Sequence, residues 1–392
     1  MLKHFVFGSI FTSLLMSSFL NVAESNIEKS QESFIGFLDS QHYFSNFTAE
    51  DRYQYRQAFE SVIERHGFRG NVLIKKKGET IFRFSEGYRD YSNSIPLEEE
   101  TIFELASVSK QFTAISILIL HEEGLIDLDA SITEYIPEFH HDRITIRQLL
   151  NHTSGISNYM WFMERQWNSP ILPTNEDMVS ILVRNRAGLN FTPGTRHAYS
   201  NTGYALLTSV VERVAEVPFS QFLTERIFIP AGLNNTFTYR CERRLVEENL
   251  AISFIPERRF YRPVTERPMD GILGDKGVFS TLSDLDRLDE VLYNGLLLSN
   301  ESLEMAYAPT LLGRNQTQIK YGFGYRLDDL NGHQVIYHNG WWGGFRTSFK
   351  RYIDNHHTLV VLNNTNDNLG NFIKDLENII LKSEKETTFA LK

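Results

Sequence analysis

The chain has 392 residues, 42% of them hydrophobic and 22% charged, which suits a large globular core and excludes a disordered protein. Its net charge of −10 speaks against nucleic-acid binding. The single cysteine, Cys241, excludes an internal disulfide, a cysteine zinc cluster and a dithiol redox pair.

At the N-terminus, Lys3 followed by the apolar run Phe5–Leu20 reads as a secretory signal over residues 1–23, although Asn21 fits the small-residue cleavage rule poorly. The alternative is an uncleaved membrane anchor, for which the run is short. Export to the periplasm or beyond a bacterial envelope is the expectation. No later run reaches the roughly 18 apolar residues of a spanning helix, so no further membrane span is expected. Residues 24–50 read as a polar leader.

Ala49–His66 has helical spacing and Gly67 follows as a stop. Gly70–Lys76 and Thr80–Glu86 read as strands around a Lys77-Gly78-Glu79 turn. Ser107–Glu123 is the next predicted helix, apolar nearly all round from Phe112 to Leu120 and therefore buried and central. Residues 125–275 carry short helical patterns, among them Ile144–Asn151, Asn175–Arg186, Thr202–Val214 and Ser220–Ile227. A helix at Ser283–Leu292 precedes four strand-like runs, Lys320–Tyr325, Gly332–Tyr337, Phe345–Tyr352 and Thr358–Asn363, and a closing helix Asn371–Leu381. The expected fold is α/β in the α+β sense: residues 51–124 and 276–392 build an antiparallel sheet flanked by helices, and 125–275 form an inserted, mainly helical lobe.

Three short motifs stand in order: Ser107-Val108-Ser109-Lys110, Tyr199-Ser200-Asn201 and His338-Asn339-Gly340. Each alone is weak; together they can assemble a serine acyl-transfer site. A serine hydroxyl needs a base within hydrogen-bond reach, and Lys110 lies on the same helix face three residues on. A lysine opening a buried helix needs a partner or a function, unless its turn reaches solvent. Burial or a neighbouring cation would lower its pKa enough for it to act as a base, and Tyr199 as a proton relay needs a cationic Lys110 beside it. Asn201 can accept from Lys110 and donate to a substrate carbonyl. His338 ends a predicted strand beside a glycine-rich turn. Other candidates divide. His152 reads more readily as a structural histidine in a turn than as a catalytic one. His140-His141 and His356-His357 lack a third metal ligand. Tyr159, Trp161, Phe162 and Trp167 can wall an acyl pocket or form core, and Trp341-Trp342 suit a pocket rim.

With these residues the chain resembles the serine hydrolases that include class C β-lactamases, DD-peptidases and β-lactamase-related esterases. The likeness runs from about residue 52 to 383 and includes SVSKQFTA from Ser107, LLNHTSGI from Leu149, PGTRHAYSNTGY from Pro193 and GVFSTLSDL from Gly277. The resemblance implies a β-lactamase/transpeptidase-like fold and an acyl-enzyme on Ser107, with Lys110 and Tyr199 sharing base duty. It implies substrate binding by Asn201, His338 and Gly340, and an oxyanion hole from the backbone N–H groups of Ser107 and Trp341. No metal or organic cofactor is implied. The third motif departs from Lys-Thr-Gly, exchanging a fixed charge for a titratable one, which weakens the case for efficient β-lactamase activity. Lys276 stands where a small residue is more usual. The expected activity is an exported hydrolase of ester or amide bonds in a small molecule or peptide, D-amino-acid peptides among them. The alternatives are a promiscuous carboxylesterase and a penicillin-binding sensor that does not turn over.

Overall fold

Helix α1 (Ala49–His66) opens the computed structural model, which describes residues 46–382 apart from positions 259 and 314. The expected signal segment and most of the leader lie outside the described residues. Thr48 and Asp51 form a reciprocal capping box at the start of α1, a device worth about 1 kcal/mol.

Six strands form one antiparallel sheet: β1 (Gly70–Lys76), β2 (Glu79–Glu86), β3 (Arg326–Leu330), β4 (His333–Trp342), β5 (Phe345–Tyr352) and β6 (His357–Asn363). Their order is β3-β4-β5-β6-β1-β2, so early and late parts of the chain meet where Val72 faces Val361. Alternation along the strands splits the core in two. Val72, Ile74, Leu359 and Val361 pack with α1 and the closing helix, whereas Leu73, Val360, Leu362, Ile336 and Phe349 join the larger cluster. That larger cluster is centred on α2 (Lys110–Glu122), whose residues from Lys110 to Leu120 are all buried.

The remaining helices that position the site are α3 (Tyr159–Gln166), α4 (Asn201–Ala215), α5 (Leu282–Tyr293) and the closing α6 (Gly370–Ile380). Short strands at Phe103–Glu104, Phe237–Thr238 and Val278–Ser280 make a second small sheet beside the start of α2. Asp289 of α5 accepts from Arg351 Nε at 2.6 Å and from Thr358 Oγ1 at 2.6 Å, which pins α5 to β5 and β6.

Two strand expectations are corrected. Lys320–Tyr325 is not a strand, and β3 starts only at Arg326. The reason is Gly324, with φ of 81° and room for a Cβ only 2.9 Å from the Lys110 carbonyl oxygen: the segment bends to touch α2 instead of extending. Nor does β4 end at His338. It runs on to Trp342, so His338, Asn339 and Gly340 are strand interior.

Candidate active site

Ser107 lies in a 3₁₀ turn, Ala106–Ser109, that runs directly into α2, so the α-helix starts at Lys110 and not at Ser107. Ala106 before it has φ of 51°, a conformation that costs a residue with a Cβ of the order of 1 kcal/mol or more. The turn is held by β4 and β5: Thr347 Oγ1 donates to the Leu105 carbonyl at 2.7 Å, and a Cβ on Gly340 would stand 2.3 Å from that same oxygen. Gly340 is therefore a close-approach glycine, required for the turn to sit on the strand. From Thr101 to Leu120 every residue is buried except Ser107.

Lys110 is fully buried and its Nζ donates at 3.1 Å to Ser107 Oγ, 2.9 Å to Asn201 Oδ1 and 2.7 Å to the Asp275 carbonyl. Among the described residues no carboxylate lies within ion-pair distance of it. Burial is the main cause that takes its pKa from 10.5 down to about 7; Asp275 opposes the fall and Arg326 adds to it. Tyr199 is 39% exposed, with Lys110 Nζ 5.0 Å from its ring centre. Burial of its hydroxyl pushes the phenol pKa upward, with the Ser107 hydrogen bond and Arg326 opposing, so near neutral pH it is a neutral phenol.

His152 grips the loop on both sides of Tyr199. Its carbonyl accepts from Ala198 N–H at 3.0 Å, its Nδ1 accepts from Ser200 N–H at 3.2 Å, and its ring lies 4.4 Å from the tyrosine ring. Burial first, then the charge of Lys110, holds its pKa well below 6.5 and keeps it neutral.

His338 is buried, and its partners fix the neutral tautomer: Nδ1 donates to the Asn339 carbonyl at 2.7 Å and Nε2 accepts from Tyr321 OH at 3.2 Å. Burial, Lys110 and Arg326 hold it well below 6.5. The titratable charge expected at the third motif is thus absent near neutral pH. The fixed charge comes from Arg326, whose guanidinium lies 5.3 Å from the Tyr199 ring centre. Sequence reading missed Arg326, Tyr321 and the Asp275 carbonyl; none belongs to a motif, and the bend at Gly324 that delivers the first two read as strand. Asn339 points to the other face, accepting from Ser348 Oγ at 2.8 Å. Trp341 is 62% exposed and Arg346 stacks on it at 3.9 Å. Because β3 stops opposite Tyr337, residues 338–342 of β4 have β5 on one side and, among the described residues, no strand on the other.

Lys276 is buried beside the site. Its Nζ donates to Tyr159 OH at 3.0 Å and to the Ile272 carbonyl at 2.9 Å, and pairs with Asp275 Oδ1 at 3.3 Å. The unusual lysine therefore braces the turn whose carbonyl holds Lys110. Of the aromatic run, Tyr159 is core, whereas Trp161 joins Phe191, Tyr199 and Asn201 around a cavity of about 390 Å³. His140 and His141 bond to backbone carbonyls, and no group of metal-binding side chains exists among the described residues. No described helix is long and apolar enough to cross a membrane.

A half-buried serine at the mouth of a buried helix, with a buried lysine amine bonded to it one turn on, is the architecture of serine hydrolases of β-lactamase/transpeptidase-like fold. Residues 55–384 match the family described as Beta-lactamase, and the chain belongs to that family. Over 344 residues it is 35% identical to "Penicillin-binding protein 4*" of Bacillus subtilis (strain 168), spanning 84% of this chain and 74% of that protein. It is 23% identical over 339 residues to a "D-aminopeptidase" of Brucella canis, spanning 83% of this chain and 62% of that protein. A solved penicillin-binding protein from Bacillus halodurans superposes with a TM-score of 0.72 at 25% identity, covering 82% of this chain and 98% of that one.

Proposed function

We propose that the protein is an exported hydrolase that forms an acyl-enzyme on Ser107 and cleaves ester or amide bonds, with D-amino-acid peptides as its substrate class. The observation that carries the reading is Lys110, buried and bonded at 3.1 Å to Ser107 Oγ, with a pKa near neutrality. Its neutral amine takes the Ser107 proton as Oγ attacks the carbonyl carbon. The backbone N–H groups of Ser107 and Trp341 receive the oxyanion. Tyr199, a neutral phenol, donates its proton to the leaving nitrogen or oxygen and is reprotonated by the Lys110 ammonium. Water then releases the acyl group by the same steps in reverse. The open edge of β4 suits an extended peptide, and Arg326 supplies a positive charge for an anionic substrate beside a neutral His338. The names of the relatives, a penicillin-binding protein and a D-aminopeptidase, support this substrate class. The charged and apolar start of the chain supports export.

The test is intact mass of the protein after incubation with benzylpenicillin, beside Ser107→Ala, with ester and D-amino-acid amide turnover in parallel. An adduct or turnover in the wild type that Ser107→Ala abolishes is expected. Turnover by Ser107→Ala at the wild-type rate overturns the reading. A preference for short acyl esters without D-peptide cleavage replaces D-peptides with simple esters.

A further inference from the structure

The face of β4 that carries His338 and Gly340 also carries Trp342, because side chains alternate along a strand. Gly340 rests against Leu105 and Ala106, immediately before Ser107, so Trp342 stands about 7 Å farther along the same face. There it closes a second cavity of about 390 Å³, whose other apolar walls are Met160, Met163, Trp167 and Met269. Methionines and tryptophans make an adaptable apolar wall. Two charged residues share the lining, Arg267 and Glu164.

The ring of Trp342 is fixed from several sides. Its Nε1 donates to Asp270 Oδ1 at 2.6 Å, the Arg267 guanidinium stacks on it at 4.2 Å, and Lys276 Nζ lies 4.7 Å from it. The other oxygen of Asp270 accepts from the backbone N–H of Arg267 at 2.7 Å. Asp270 thus locates the residue without pairing with its guanidinium. Among the described residues no carboxylate lies within ion-pair distance of that guanidinium, Glu164 included. Arg267 is exposed, so its fork of donors is presented at the cavity wall, and such a fork matches a carboxylate in two-point geometry.

We propose that this cavity is the subsite for the acyl part of the substrate, and that it takes an apolar chain bearing a carboxylate, received by Arg267. The inference rests on the hydrolase reading above and adds the chemistry of the acyl side. The occupant is the substrate's own acyl chain, because the cavity is walled by the strand that carries the oxyanion-binding residue.

Two measurements keep the subsite and the hydrolase reading separable. The first compares kcat/KM for two phenyl esters of suberic acid, one with a free distal carboxylate and one with a distal carboxamide. The wild type is expected to favour the carboxylate by about tenfold or more, as a charged hydrogen-bond pair should. Arg267→Ala should bring the ratio near unity, Arg267→Glu should invert it, and Glu164→Gln should raise it by removing a repulsive charge. A wild-type ratio of one, or a ratio unmoved by Arg267→Ala, overturns the proposal. The second measures suberate and suberamide binding to Ser107→Ala by tryptophan fluorescence, which Trp167 and Trp342 report. Suberate binding that needs Arg267 supports the subsite even if benzylpenicillin, esters and D-amino-acid amides all leave Ser107 unacylated, a result that would sink the hydrolase reading alone. Ester turnover with equal binding of suberate and suberamide sinks the subsite alone.

Discussion

At the scale of residues, the site separates two groups that a sequence leaves equivalent. Lys110 and Tyr199 are both within reach of Ser107, yet burial moves their proton affinities in opposite useful directions. It lowers the lysine to about 7 and raises the phenol, which suits the amine as acceptor and the phenol as donor in the acylation proposed above. Acylation should therefore rise as pH increases through about 7, because only deprotonated Lys110 is a base. Tyr199 can relay the proton only if its loop is held, and His152 is the positioning residue that holds it. His152→Ala loses the acceptor for Ser200 N–H and the ring packed on Tyr199, but keeps the backbone bond to Ala198. Its acylation rate should fall by about 10–100-fold, the scale of a misplacement near 1 Å. The rising limb near 7 should stay in place, since Lys110 is untouched. His152→Asn should recover part of the rate, because its Oδ1 can stand in for Nδ1 and asparagine tolerates the φ of 60°. Stopped-flow acylation across pH in the three proteins reads this out. A loss of thermal stability with unchanged acylation would make His152 merely structural.

At the scale of elements, the site is a contact between a turn and a strand. The Ala106–Ser109 turn sits on β4 only because position 340 has no side chain. Gly340→Ala would place a Cβ 2.1 Å from Thr347 Oγ1 and 2.3 Å from the Leu105 oxygen. Both are fixed partners in a hydrogen bond, so the turn must lift and carry Ser107 with it. The expected result is a loss of acylation of about 100-fold or more with helix content retained, since 1 Å at the reacting atoms is costly. Circular dichroism with acylation kinetics checks it, and near-normal kinetics would mean that the turn has another seat. This contact also shows what could be read beforehand. Helix α1, strands β1, β5 and β6, and the buried character of α2 were legible because periodicity reports which face is buried. The bend at Gly324 and the true length of β4 were not, because Gly324 and Gly340 are there for close approach to residues far away in the chain, and a glycine in sequence reads first as a turn. The three motifs named Ser107, Lys110, Tyr199, Asn201 and His338. Arg326 and the clamp by His152 depend on packing between distant segments, which no local pattern encodes.

At the scale of the whole molecule, a buried charge cluster adds to the apolar core that packs α5 on the sheet. Asp289 joins α5 to three neighbouring strands across the junction of early and late chain: it bonds Arg351 of β5 and Thr358 of β6, and Lys75 of β1 lies 3.9 Å away. Burial alone would raise its pKa, but Arg351, His356 and Lys75 together hold it well below the ordinary 3.8. A depressed carboxylate contributes stability that is complete above that ordinary value and is lost as pH falls from there through its folded pKa. Asp289→Asn removes the charge and leaves Arg351 and Lys75 buried with less compensation, so it should cost about 3–5 kcal/mol near neutral pH. The gap between wild type and variant should then narrow on acidification below 3.8, where protonation begins to remove from the wild type what the substitution has already removed from the variant. Urea unfolding of both proteins at neutral pH and in acid measures the gap directly. A gap that stays constant into acid would place the role of Asp289 in shape and hydrogen bonding, because those survive a change of charge and the ion cluster does not.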